Sequence, residues 1–511
     1  MNNNLTEKKS LHHRVISSTQ VCLRVLAGLM LLTASMVHAD NPLVSHVYTA
    51  DPAARGGEFY GPLFVNSGPP ESWIIESTGD QSFVPDEHNR YSVNGTLAFR
   101  ITPRVRTEYN LIYQRNNGWN LDGGNFHTNK YVPDGENRYY NQSQFHLAGL
   151  HLTLSNSSFA NINYSYLRDR GQSRLYDTPG DFAQTGVLDP RYVSPEHSSL
   201  AGQRAYAIGG NDLFTSSDLT ETHTVLADYT NQINRVHQVK TGFSVRQHSI
   251  DRGNYGIEIG SQTNWLPTVS RSPYGRDTLQ AKPLEAAVYL QDKMEFKNLI
   301  VNAGVRFDYF DPDFDIPVDW NQADSLEIPA YDDAGNVTGY VSNRTPSPVR
   351  YQVSPRIGIA FPISSTGVIR FSAGLFFQTP QLDLLYRNPN YEIQSSATSA
   401  NFGNAALDPE RTLQFEIGLQ QGLTSSLGVE LTVFSKDIRN LIGVEVARSA
   451  RGVAFVRVMN QDVGTSRGIT VSLFQRPVGP LSWDLDYTLQ FASGTSSDPD
   501  EAFQRWQNQQ D

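Results

Sequence analysis

Cysteine is all but missing from this 511-residue chain. The single one, Cys22, lies near the start, just ahead of an early apolar run, which excludes a disulfide framework and any thiolate metal site in the rest of the sequence. Long apolar stretches are also missing. The longest, Val25 to Val37, falls short of the ~20 residues that a membrane-spanning helix needs. Positive charge is in deficit, with 41 Lys and Arg against 52 Asp and Glu, so a nucleic-acid partner is excluded. No glycine-rich phosphate loop joins a strand to a helix, and no Gly-x-Ser-x-Gly elbow occurs. The histidines beyond His12-His13 are scattered, with no metal-binding helix spacing. Nothing in these absences leaves support for an enzyme, a catalytic residue or a cofactor.

The early apolar run has a different meaning. Lys8, Lys9 and Arg14 precede it and Val37-His38-Ala39 follows, before Asp40, which is the pattern of a secretory signal peptide over residues 1–39, cleaved near Ala39. Cys22 sits within the signal and not just after the cleavage point, so it is no lipid-attachment residue. Removing this segment takes away four basic residues (Lys8, Lys9, Arg14, Arg24) and one acidic (Glu7), and the formal charge falls from −11 to −14. Residues 40–89, punctuated by Gly56-Gly57, Gly61-Pro62, Gly68-Pro69-Pro70 and Pro85, read as an irregular linker or the remnant of a plug or first strand.

From about residue 90 to 493 the sequence alternates with period two. Leu413, Phe415, Ile417 and Leu419 interleave with Gln414, Glu416, Gly418 and Gln420; Leu481, Trp483, Leu485, Tyr487, Leu489 and Phe491 interleave with Ser482, Asp484, Asp486, Thr488 and Gln490. In 299–309, Leu299, Val301, Val305 and Phe307 oppose Asn302, Arg306 and Asp308. Fourteen such stretches, of about 10–14 residues each, are joined alternately by short and long connections. The short ones are Thr102-Pro103, Asn156 to Ser158, Asn234-Arg235, Lys297-Asn298, Pro362 to Gly367, Gly422 to Ser426 and Pro477 to Pro480. The long ones fall near 116–138, 171–220, 249–283, 311–349, 379–409 and 440–464. Sorting by parity is the mark of an outer-membrane β-barrel, with tight turns in the periplasm and long loops outside. The long polar side chains would overfill a narrow interior, so they face a wide aqueous lumen and the apolar set faces lipid. The absence of a spanning helix is no obstacle, since a barrel satisfies its backbone between strands.

Parity carries a further expectation. The first clear strand, Tyr91 to Ile101, runs inward, and the last, Leu481 to Phe491, runs outward, so residues 494–511 form an external-loop tail. Bacterial barrels normally have an even strand count and both ends inside. The reading is therefore an incomplete barrel, a fragment or truncated product.

Several motifs then resemble one family. Tyr289-Leu290-Gln291-Asp292 with Asn302-Ala303-Gly304-Val305-Arg306 and Asp308-Tyr309, the strand Ser354-Pro355-Arg356-Ile357-Gly358, and Gly403-Asn404 with Leu407, Pro409 and Glu410 are together similar to the barrel region of TonB-dependent outer-membrane receptors of the Oar-like group, over roughly residues 57–508. That resemblance implies an all-β fold, a transmembrane antiparallel β-barrel of the outer-membrane receptor type. It also implies 22 strands around an N-terminal plug, and uptake of a scarce large solute driven by the TonB complex. The implied partners are outer-membrane lipid, lipopolysaccharide and the barrel-assembly machinery. Neither a plug nor a coupling segment is visible between Ala39 and Tyr91. A plug-less porin-like or adhesion barrel, and a nonfunctional gene remnant, stay open beside the receptor reading.

Individual residues read as architecture before chemistry. Glu285, Glu416, Arg306 and Arg370 lie on polar faces as candidate pore-lining charges, with solvated lumen charge the plainer account; no ligand-binding residue is assigned. Asp311, Asp313, Asp315 and Asp319, and Asp332-Asp333-Ala334-Gly335-Asn336, lack the ligand spacing of a calcium-binding EF-hand and read as solvated external loop. The sequons at Asn94 and Asn163 fall within strands, which argues against glycosylation.

Overall fold

The computed structural model describes residues 89–119, 135–176, 188–194, 196–198, 206–270, 275–331, 337–392, 400–478 and 480–495. The signal segment, nearly all of the 40–89 linker, most of the 494–511 tail and the Asp332 to Asn336 stretch lie outside the described residues.

Fourteen long strands make one antiparallel meander. They are β1 (Asn89–Thr102), β2 (Val105–Trp119), β3 (Arg138–Thr153), β4 (Ser158–Arg174), β5 (Phe214–Gln232), β6 (His237–Glu258) and β7 (Leu284–Phe296), then β8 (Leu299–Asp311), β9 (Arg350–Pro362), β10 (Gly367–Gln378), β11 (Glu410–Gly422), β12 (Leu427–Arg448), β13 (Ala454–Val478) and β14 (Leu481–Gly494). Each pairs with its neighbours in sequence. Among the described residues β1 pairs only with β2 and β14 only with β13, so the sheet is not closed.

All seven tight turns stand where alternation ended, and four share one chemistry. Leu154-Ser155-Asn156-Ser157, Ile233-Asn234-Arg235-Val236, Ile363-Ser364-Ser365-Thr366 and Leu423-Thr424-Ser425-Ser426 each begin with an aliphatic residue whose amide closes the hairpin onto the first residue of the next strand, as in Ile233 N to His237 O at 2.9 Å and Leu423 N to Leu427 O at 2.8 Å. The second residue's side-chain oxygen accepts the amide two positions on: Asn234 Oδ1 from Val236 N at 2.8 Å, Ser155 Oγ from Ser157 N at 3.1 Å, Ser364 Oγ from Thr366 N at 3.2 Å and Thr424 Oγ1 from Ser426 N at 3.2 Å. The four leading aliphatics are all exposed, and by strand parity all lie on the apolar face.

The strands are longer than their apolar alternation, spanning 12 to 25 residues in place of the expected 10–14. The correction is largest for the expected long connection 440–464. There β12 continues to Arg448 and β13 resumes at Ala454, leaving only 449–453 between them. A bulge between Ile438 and Ile442, with Asn440 at φ 58°, twists this hairpin, and Val444, Val456 and Val458 are then buried, which fixes it as sheet. Likewise β6 runs on to Glu258, and a strand at Arg276–Ala281 pairs with its extension at Ile250–Tyr255. Lys282-Pro283 separates that strand from β7.

Candidate functional site

Residues opposed across antiparallel strands share a face, so the ladders assign every side chain. From β6 to β12 one face carries the charge. Arg246 Nη1 lies 3.4 Å from Glu285 Oε2, and His248 Nε2 lies 3.4 Å from Glu285 Oε1. Arg306 Nε donates to Asp308 Oδ1 at 2.7 Å, Lys240 Nζ stands 3.7 Å from Asp228 Oδ1, and Arg370 pairs with Glu430. Glu416 accepts from Ser372 Oγ at 3.3 Å and from Gln414 Nε2 at 2.5 Å. The four candidates Glu285, Glu416, Arg306 and Arg370 thus do share one face, each engaged with a neighbour from an adjoining strand or from its own. The Tyr289 hydroxyl donates to Asp228, and its ring lies over Gly242, where a Cβ would come 2.8 Å from Tyr289 Cε1 and 2.6 Å from the Ala227 carbonyl.

Two hollows open on this face. A lower one of about 420 Å³ is lined by Lys240, Tyr289, Arg306, Arg356, Ser372 and Gln414 among others. Arg356 has no ion pair among the described residues; its guanidinium lies 4.3 Å from the Phe376 ring centroid, so this hollow keeps positive charge that carboxylates do not cancel. An upper one of about 150 Å³ lies among Arg246, Glu285, Asp308, Arg350 and Gln352, beneath Pro409.

Above them sits a structure that the sequence reading missed. The 379–409 connection is not open loop: it folds a short helix, Leu382–Tyr386, onto the charged face's outer end. Leu385, Tyr386, Ala405 and Leu407 are buried there against Ile250, Phe310, Ile442, Val444, Val456 and Val458. Beside them Tyr391, Phe402, Phe455 and Ala323 form a second core, with Tyr391 edge-on to Trp320 and Phe402 at centroid distances of 5.5 and 5.6 Å. We call this assembly the cap.

The Gly-Asn-x-x-Leu-x-Pro-Glu element is the cap's seam. A Cβ at Gly403 would stand 2.5 Å from Arg387 N, so the close approach of two backbones requires glycine. Asn404 Nδ2 donates to Val458 O at 3.0 Å, and its Oδ1 accepts from Ala406 N at 2.9 Å. Asn460 exchanges two hydrogen bonds with the Asp408 backbone, at 2.8 and 2.9 Å. Arg350, from β9, grips the segment with its Nε 2.9 Å from Asp408 Oδ1 and its Nη2 donating to Ala406 O. The Tyr386 hydroxyl donates to Pro312 O at 2.5 Å, and burial pushes its pKa up.

The external aspartates spend their oxygens within the loops. Asp311 Oδ1 accepts from Asp313 N at 3.0 Å, Asp313 Oδ2 from Lys282 N at 3.1 Å, and Asp319 from Asn321 N at 2.9 Å and Gln322 Nε2 at 2.9 Å. Among the described residues no group of three acidic, histidine or cysteine side chains is placed to hold a metal ion.

Two carboxylate pairs stand outside the fourteen long strands. Burial, then the charge of Asp277, raises Glu392 to about 7, and burial raises Asp277. Burial, then Asp212, raises Glu136 to about 7, and burial raises Asp212. An acid whose pKa is raised by folding binds its proton more tightly in the folded state. Its contribution is therefore fully present below the unfolded value near 4.5 and is lost as pH rises through about 7. After correction for the base-catalysed intrinsic rate, the amides of the cap segment at Asn388 to Glu392 are expected to show larger protection factors at pH 5 than at pH 8. Glu392→Gln should remove most of that difference; an equal pH response in the variant would refute the assignment.

The family model described as TonB dependent receptor-like, beta-barrel, matches residues 78–509. The chain belongs to that family. Barrels of this family lie in the outer membrane, where one face of the sheet lines an aqueous lumen and the other meets lipid. The fold is also similar to the outer membrane transporter YddB from Escherichia coli (12% identity, TM-score 0.54, covering 80% of this chain and 48% of that one). It is similar to the hemophore receptor HasR from Serratia marcescens, solved with its hemophore HasA and heme (12% identity, TM-score 0.53, 80% and 55%). It is similar, too, to the FrpB iron transporter from Neisseria meningitidis (11% identity, TM-score 0.50, 81% and 54%). At these identities the likeness is one of fold, and the chain spans about half the length of each. None of the curated proteins matches the sequence.

Proposed function

We propose that the chain is part of the wall of an outer-membrane receptor for TonB-coupled uptake of a scarce, large solute. The observation that carries this is the joining of a charge-lined lumen face to an ordered cap, seated through Arg350, Asn404 and Asn460 on the same strands that line the lumen. A passive pore needs an open mouth, whereas a receptor needs a shaped external surface continuous with the path beneath it. The edges of β1 and β14 that are unpaired among the described residues are the places where further strands would close the barrel, since exposed backbone groups in lipid cost several kcal/mol each. Secretion and assembly by the barrel-assembly machinery belong to the same reading.

The test is depletion of solutes from a complex medium, followed by untargeted mass spectrometry, in cells of the source strain with and without the gene. The receptor reading expects one or a few solutes to be depleted only when the gene is present, and not after a protonophore collapses the energy supply. Broad, size-limited depletion that survives the protonophore would instead establish a porin-like barrel.

A further inference from the structure

The segments Tyr289 to Asp292, Asn302 to Arg306 and Ser354 to Gly358 meet at the lower hollow. There the ladders lay one row of side chains across β6 to β11: Lys240, Gln291, Gly304, Arg356, Gly374 and Gln414. Every member of that row lines the hollow of about 420 Å³. Arg356 therefore has glycine on both flanking strands, and Gly358 shares its face on β9. Glycines on three sides clear this face around one guanidinium. A Cβ at Gly374 would come 2.9 Å from Phe376 Cε2 and 3.3 Å from Arg356 Cγ, so the glycine is what lets the Phe376 ring and the arginine stem lie together.

The electrostatics single out the same residue. Lys240 is matched by Asp228 at 3.7 Å and Arg306 by Asp308 at 2.7 Å, while no carboxylate lines the hollow among the described residues. Glu416 ends the next row, which runs through Asn302, Gly358 and Ser372. Two strands across and two residues along from Arg356, it stands about 12 Å away by strand spacing and rise, roughly a Debye length. It already accepts from Ser372 Oγ and Gln414 Nε2. Arg356 keeps its charge uncancelled, with the Phe376 ring centroid 4.3 Å from its guanidinium. A ring against one face of that planar group leaves its N–H edge available for bidentate contact. The side-chain amides of Gln291 and Asn302 border the same space, and neither has a hydrogen bond among the described residues.

We propose that the lower hollow is a subsite for an oxyanion, the carboxylate or phosphate of a passing solute, with Arg356 as its bidentate ligand and the Gln291 and Asn302 amides beside it. Arg356 lies six residues along β9 from Arg350, the residue that grips the cap segment. That is about 20 Å of strand, which puts the subsite on the path beneath the cap. The solute is thereby narrowed to one that bears an anionic group. This last step rests on the receptor reading; the anion site itself does not.

The test uses the full chain extracted in mild detergent, with trimesate as the probe and saturation-transfer NMR as the readout. Trimesate should bind, its neutral triamide should not, and Arg356→Gln should weaken binding about tenfold or more, as expected for loss of a charge-assisted bidentate contact. Gly358→Leu keeps the arginine and fills the hollow; a Cβ there meets nothing nearer than 4.0 Å, so the strand accepts it, and binding should fall again. Unchanged binding in either variant, or equal binding of the triamide, would overturn the site. Competition by pyrophosphate would extend the site to phosphates, and its absence would confine it to carboxylates. Heat-modifiable gel migration reports folding, and if Arg356→Gln fails it, Arg356→Lys carries the test with a smaller loss, since it keeps the charge without the fork. Repeating the medium-depletion experiment with Arg356→Gln separates the two readings. Protonophore-sensitive depletion of a neutral solute, unchanged in the variant, would overturn the subsite and leave the receptor standing. Trimesate binding lost in the variant, beside depletion that survives the protonophore, would sustain the anion site and sink the receptor.

Discussion

Val305→Arg is expected to abolish the compact, fast-migrating band of unheated outer-membrane samples, while Asn302→Arg, three residues away on the same strand, leaves it in place. Val305 is 46% exposed on the apolar face of β8, near the middle of the crossing, and Asn302 lies on the lumen side in the lower hollow. An arginine facing lipid at mid-depth costs about 2–4 kcal/mol, enough to lower the folded population by a factor of roughly 30 to 1,000. The same residue facing an aqueous lumen keeps its hydration. Equal behaviour of the two variants would show that the faces do not meet different solvents.

The second large effect belongs to the cap. Tyr391 is 1% exposed, with its ring edge-on to Trp320 and Phe402 and the Arg344 guanidinium 5.0 Å from its centroid. Its hydroxyl donates to Asp315 O at 3.4 Å. Tyr391→Ala removes the centre of this small core, a loss of about 3–5 kcal/mol for a large aromatic side chain. The strands hold themselves by their own ladders, so the damage should stay local. Limited proteolysis is expected to cut the variant rapidly within 379–409 and to leave the heat-modifiable band intact. Loss of that band together with the cap would mean that cap and sheet fold as one unit.

The strands and their turns were legible because membrane and lumen impose opposite solvents on successive residues, and that alternation is written plainly in segments such as Leu413 to Gln420. The turn positions at Asn234-Arg235 and Gly422 to Ser426 were legible for the same reason, whereas their chemistry, one side-chain oxygen answering one nearby amide, shows only in the hydrogen bonds of Asn234 and Thr424. The outer ends were harder. Val444, Val446, Val456 and Val458 alternate as a strand does, yet Arg439-Asn440 interrupts the pattern, and only the bulge shows how the ladder survives. The cap was not legible, because its cores join residues far apart in sequence, such as Phe310 with Tyr386 and Ala323 with Tyr391. No periodicity reports such meetings. Gly403, Asn404 and Leu407 did carry a signal, as one of the motifs of the family resemblance; their role as a seam between the cap and β13 follows only from the contacts of Asn404 and Asn460.

The most direct test of the account is cysteine labelling along β11 in a Cys22→Ser background. Leu413, Gln414, Phe415, Glu416 and Ile417 are replaced singly by cysteine in the full chain, and outer membranes are treated with a water-soluble, membrane-impermeant maleimide. The two-solvent wall predicts fast labelling at Gln414→Cys and Glu416→Cys and protection at Leu413→Cys, Phe415→Cys and Ile417→Cys. Uniform labelling, or the reverse alternation, would contradict it.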